Sequence, residues 1–197
     1  MGKREEKKQE TRRRILVEAK RIFEESGFER AKTLNIAKAA GIAEGTIFNY
    51  FDKKIDILVD VIKESFAMDI YQFKAEDAVP DRIEVAVRDC LDHYFANVDL
   101  VNKSLLAVVF NASLVESDGE QPVLNLMTAL DMKMMEPLEN YIQMLRPDAS
   151  DRELETILRL VSSSFSLIYG EFILNSEMTK EQMIENLLDC LVYVLRK

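Results

Sequence analysis

The sequence predicts an all-α chain, and three observations carry that prediction. Apolar residues recur at helical spacing along nearly the whole length, no stretch alternates with the period of two that marks a strand, and the signals between the apolar stripes are helix stops and helix caps. With 197 residues, 48% of them hydrophobic and 31% charged, the chain can build a small N-terminal bundle and a larger core-forming domain behind it, expected at 9–69 and 70–197.

The elements follow in order. A first helix is expected over Gln9 to Ser26, with Ile15, Ala19, Ile22 and Phe23 on one side and Gly27 as its stop. A second, from Thr33 to Ala40, turns Ile36 and Ala40 to the core and Leu34, Ala37 and Lys38 to another side, and Gly41 supplies the left-handed residue that ends it. After only Ile42 and Ala43, a third helix runs from Glu44 to Tyr50, with Ile47 and Phe51 inward and Thr46, Asn49 and Tyr50 outward. Ile55, Leu58, Val59, Ile62, Phe66, Ile70 and Phe73 make one stripe, which predicts a fourth helix from Lys53 to Lys74.

Pro80 opens a further helix that places Ile83, Val87, Cys90, Leu91 and Tyr94 on one face, and 100–115 is apolar on nearly all sides, as a buried helix would be. Residues 115–122 read as a loop, and Pro122 to Leu145 as a long helix kinked at Pro137. Two capping boxes, Ser150 with Glu153 and Thr179 with Gln182, announce the last two helices. Their apolar faces hold Leu154, Ile157, Leu158, Val161, Phe165, Ile168 and Phe172 on one and Met183, Leu187, Leu188, Leu191 and Val194 on the other.

Composition removes several function classes. One histidine and two separated cysteines do not supply a metal cluster, and no phosphate-binding glycine loop or nucleophile elbow occurs, so no catalytic residue, metal or cofactor is assigned. Cys90 and Cys190 lie in apolar helical patterns and read as reduced core thiols. No segment reads as the run of about 20 apolar residues that spans a bilayer, and the first residues lack the apolar stretch of a secretory signal, which points to the cytoplasm.

The net charge of −9 is divided unevenly. Residues 1–60 hold 14 Lys and Arg against 11 Asp and Glu, a balance of +3, whereas the rest holds 12 against 24, a balance of −12. An acidic body discourages nonspecific coating of nucleic acid, and the basic N-terminal residues are either a solvated tail or an arm toward a DNA backbone or minor groove.

Residues 32–51 therefore read as a helix-turn-helix: two short helices, a tight glycine turn between them, and a polar, aromatic second helix with Lys54 behind it. The run from Arg14 to Leu58, with RILVEAKRIFEESGFE, NIAKAAGIAEGTIFNYF, Lys54 and Leu58, resembles the DNA-binding domain of the TetR (tetracycline repressor) family. By position in that motif, the resemblance implies phosphate contacts from Lys32, Thr33, Thr46, Tyr50 and Lys54. Glu44, Gly45 and Asn49 are the candidates for base edges, since Asn can pair bidentately with adenine and Gly lets the backbone come close. The chain departs from the family pattern at Ala43, where a capping Ser is common, at Phe48, where a Tyr is common, and at Ala31-Lys32, where a hydroxyl pair is common.

The resemblance further implies a homodimer joined by the two C-terminal helices as a four-helix bundle, with Ser162, Ser163, Ser164, Ser166 and Gly170 small enough for close approach. It also implies a small-molecule effector in the C-terminal domain that releases a repressor from a palindromic operator. Phe66, Phe73, Phe95, Phe110, Met127 and Met134 are the candidate lining of an apolar pocket for a lipophile such as a fatty acyl thioester or a drug, with His93 and Asn111 as polar contacts. The alternative is a DNA-bound interaction protein of the same fold that acts through a protein partner and takes no effector.

Overall fold

The computed structural model describes residues 2–63, 71–115 and 122–196, and gives only the backbone at 113–115 and 122–133. Among the described residues the regular structure is helical throughout: α1 (Lys3–Ser26), α2 (Thr33–Ala39), α3 (Glu44–Ile47), α4 (Lys54–Lys63), α5 (Ile83–Phe95), α6 (Lys103–Val115), α7 (Pro122–Leu145), α8 (Asp151–Leu174) and α9 (Lys180–Leu195). Short 3-10 turns at Ala75–Asp77, Pro80–Arg82 and Val98–Leu100 complete it. The chain divides into two compact units, one of residues 1–65 with 101–126 and the other of 66–100 with 127–197.

The first unit is built on α1, whose Ile15, Leu16, Ala19 and Phe23 are all but inaccessible to water. They meet Ile36, Ala37 and Ala40 of α2 and its cap, Ile47 of α3, and Ile57, Leu58 and Ile62 of α4, all buried. Each such Leu, Ile or Phe contributes roughly 1.5–3 kcal/mol, which gives short helices a stability that their own hydrogen bonds would not. Ala37 belongs to this core, contrary to the expected outward placement, because a methyl is small enough to lie where α2 presses against its neighbours. α6 packs on α4 through the apolar face of Leu105, Leu106 and Val109.

Three boundaries differ from the sequence expectation. α1 begins at Lys3 and not at Gln9: Glu5 and Glu6 sit in its first turn, where they complement the helix dipole, and Gln9 bonds Glu5 at 3.1 Å. The basic N-terminal residues are thus helical. α3 is regular over only four residues. Its last turn tightens to i→i+3 bonds from Asn49 to Thr46 and from Tyr50 to Ile47, as expected of a helix with no side-chain cap at Ala43 and with Gly45, Thr46 and Ile47 in its body. The helix expected to reach Lys74 does not do so, since 71–74 are non-helical. There the Tyr71 N–H donates to the Tyr94 hydroxyl at 3.2 Å, and the Phe73 ring stacks on Tyr141 at 4.2 Å.

In the second unit α9 packs against both α8 and α5. Both capping boxes form as expected, with Ser150 and Thr179 accepting from the backbone N–H groups of Glu153 and Gln182. Cys90 is buried and Cys190 half-buried, both as free thiols, and burial pushes the Cys90 thiol pKa far up, so that it stays protonated. Pro137 lies inside α7, which is helical on both sides of it. By length and composition α8 is apolar enough to cross a membrane, contrary to the expectation from sequence, because only Arg159 and Glu171 are charged between Ile157 and Leu174. Well under half of that stretch is buried.

Candidate nucleic-acid interface

The site is set by the turn between α2 and α3. Gly41 adopts φ +67°, its N–H donates to the Lys38 carbonyl at 3.1 Å, and the Ile42 N–H donates to the Ala37 carbonyl at 3.0 Å. That pair of bonds is a Schellman motif, in which a residue with a Cβ would be strained. It aims α3 away from α2, with Ile47 fully buried and Phe51 5% exposed as anchors. Outside them Glu44, Gly45, Phe48 and Asn49 are exposed, and Thr46 and Tyr50 are half-buried.

Ion pairing sorts the cations of this unit into two groups. Arg12 pairs with Asp60 and lies over the Phe51 ring at 5.1 Å, Arg13 reaches Glu10, Arg21 bridges Glu18 and Glu25, Arg30 bonds the Ser26 carbonyl, and Lys63 reaches Asp60. Among the described residues, Lys32 at the cap of α2, Lys38 on α2 and Lys53 before α4 make no side-chain bond, and neither do Thr33, Thr46, Asn49 and Tyr50. These free donors lie on α2, α3 and the turn into α4, where an anionic polymer can take them up, and Lys3, Arg4, Lys7, Lys8, Arg14 and Lys20 of α1 likewise make no side-chain bond among the described residues.

Lys54 is different from the other candidates. Its ammonium donates to the backbone carbonyls of Phe28 at 2.7 Å, Ala31 at 3.2 Å and Glu29 at 3.3 Å, and lies 4.3 Å from the centre of the Phe28 ring.

The residues proposed for an effector are divided between the two units. Phe73, His93, Phe95 and Met134 belong to the second unit, Phe110 and Asn111 to the first, and Asn111 is exposed. Phe66 and the Met127 side chain lie outside the described residues. The His93 ring is half-buried, 5.5 Å from Tyr71 and 5.2 Å from Tyr94. Tyr71 lies edge-on to Phe73 at 5.0 Å, Phe73 stacks on Tyr141 at 4.2 Å, and Tyr141 donates to the Asp77 carbonyl at 2.8 Å.

Phe95 has another neighbour, which reasoning from the sequence missed. The Tyr169 ring lies 5.9 Å from it and 6.2 Å from Phe172, and burial drives the Tyr169 phenol pKa far above its ordinary value. Among the described residues its hydroxyl has no hydrogen-bond partner. A polar-tipped ring four residues after Phe165 on an apolar helix face was the available signal.

A glycine-turned pair of helices on a packed three-helix support, with free donors on its outer surface, defines a helix-turn-helix DNA-binding protein. Residues 15–61 match the family of bacterial regulatory proteins, tetR family, so the N-terminal domain is a TetR-family DNA-binding domain. It is 28% identical over 131 residues to the fatty acid metabolism regulator protein of Bacillus subtilis (strain 168), covering 66% of this chain and 62% of that protein. It is 39% identical over 83 residues to the HTH-type transcriptional regulator PksA of the same organism, covering 42% of this chain and 36% of that one. The chain thus spans less than two thirds of the length of these relatives. The crystal structure of Thermus thermophilus FadR, a TetR family transcriptional repressor, in complex with lauroyl-CoA, shares the fold with a TM-score of 0.59 at 20% identity over 93% of each chain.

Proposed function

We propose that this regulator is a homodimeric repressor that occupies a palindromic DNA operator in the cytoplasm and leaves it when a lipophilic effector binds. Residues 9–69 serve as the DNA-binding domain, with the helix-turn-helix over about 32–51, and 70–197 serve for effector binding and dimerisation. The observation that carries this reading is the glycine-turned helix pair, whose side chains at Lys32, Thr33, Lys38, Thr46, Asn49 and Tyr50, with Lys53 beside them, make no bond among the described residues. Lys32, Thr33, Thr46 and Tyr50 hold phosphates, and Glu44, Gly45 and Asn49 face base edges.

The dimer is supported by a second apolar stripe on α8. Leu160, Leu167 and Leu174, seven residues apart, are 50%, 73% and 66% exposed, and the core-facing stripe of the same helix is already buried. A seven-residue repeat on the outer face of a helix is a seam for another helix, and a second copy of α8 and α9 would close it as a four-helix bundle. The effector class is supported by two resemblances, to a fatty acid metabolism regulator and to a repressor solved with lauroyl-CoA. The unpartnered Tyr169 hydroxyl beside Phe95 and Phe172 suits an apolar ligand that carries a hydrogen-bond acceptor.

Selection of duplexes from a random DNA pool by the purified protein tests this reading, followed by competition with lauroyl-CoA. Enrichment of an inverted repeat that lauroyl-CoA releases is the expected result. A pool that stays random would overturn the operator, and a repeat that stays bound at saturating lauroyl-CoA would overturn the acyl effector.

A further inference from the structure

We infer that Lys54 is a positioning residue, which locks the helix-turn-helix through the loop between α1 and α2 and leaves phosphate contact to its neighbours. The inference rests on the DNA-binding reading and reassigns one of its residues.

A lysine in the first turn of a helix is poorly placed, because the free N–H groups there already make that end positive. At α4 two features offset this. Asp56 accepts from the Lys53 N–H at 2.7 Å, and the Lys54 ammonium is turned back onto the carbonyls of Phe28, Glu29 and Ala31. An ammonium has three N–H donors, and three carbonyls occupy them. These carbonyls lie 23 to 26 residues earlier in the chain, so the bonds are tertiary. The Phe28 ring, under the ammonium at 4.3 Å, packs at 5.5 Å on Phe23, which is buried in the core of the unit. Lys54 therefore ties the start of α4 to the core end of α1 and to the backbone entering α2.

That backbone ends at Lys32, the residue that caps α2, and Thr33, its first residue. Both are proposed phosphate ligands, and among the described residues neither side chain has a partner to hold it in place. The loop itself has few bonds besides those to Lys54: Gly27 to Phe23, Ala31 to Gly27, and the Arg30 side chain to Ser26. Fixing 28–31 before DNA arrives removes an ordering cost from binding, which is how a residue that touches no phosphate can raise affinity.

Amine acylation of the wild-type protein, read residue by residue by mass spectrometry with and without a duplex of mixed sequence, tests this directly. Lys32, Lys38 and Lys53 are expected to react freely and to be protected by DNA, whereas Lys54 reacts slowly in both states. Rapid reaction of Lys54 in the free protein, suppressed by the duplex, would show a phosphate ligand and overturn the inference. The Lys54→Met protein supplies the second readout, taken well below its melting temperature. Its affinity for the same duplex should fall about tenfold, with the slope of log affinity against log salt unchanged. A slope smaller by about one would mark a lost phosphate contact, and unchanged affinity would reduce Lys54 to a stabilising bond; either overturns the inference.

Discussion

Asn49 is exposed, makes no side-chain hydrogen bond among the described residues, and sits one residue before the half-buried Tyr50, which suits it to the base-edge role proposed for it. Replacing Asn49 with Ala should relax sequence preference at one operator position, by about 1–3 kcal/mol of discrimination. Repeating the duplex selection would register that change, and the salt slope should not move. Tyr169 makes the opposite kind of case, a hydroxyl without a partner among the described residues. In Tyr169→Phe the melting temperature should stay the same or rise, while lauroyl-CoA binds several-fold more weakly by calorimetry. A lower melting temperature with unaltered binding would assign the hydroxyl to the fold instead.

At the scale of single elements, local signals and long-range packing divide the control. The cap of α9 is local: Thr179→Ala should lower stability by about 1 kcal/mol, read from thermal unfolding. α8 is governed by what covers it. Because Leu167 is 73% exposed, Leu167→Glu should leave the fold of the chain intact yet shift sedimentation from dimer to monomer, and an unchanged mass would place the dimer contact elsewhere. α7 carries a titration marker. Burial first, and the nearby Asp77 carboxylate second, raise the Tyr141 phenol from 10.0 to about 12. Folding thus favours the neutral phenol. The corresponding stability is complete below pH 10 and is lost as pH rises through about 12, which phenolate absorbance followed alongside unfolding would register.

For the whole molecule, four helix ends were legible from the chain because their causes lie within a few residues. Gly27 and Gly41 take positive φ, and Ser150 and Thr179 close their boxes with residues three places on. The apolar stripes of α1, α5, α8 and α9 were legible for the same reason, since helical period alone sets which residues share a face. So were the helix-turn-helix and its outward residues, as were the opposite charge balances before and after residue 60. What the sequence could not settle was how each polar group would be used. That Lys54 would meet three carbonyls more than twenty residues away, that Ala37 would be core, that 71–74 would leave the helix to stack Phe73 on Tyr141, and that Tyr169 would lose its partners all follow from packing between elements distant in the chain. The sequence by itself determined the helices, their caps and the DNA-reading motif, because hydrogen bonds and side-chain period act over about four residues. The tertiary structure decided which cations remained free for DNA and which leucines remained free for a partner, because burial and ion pairing depend on neighbours that only folding brings near.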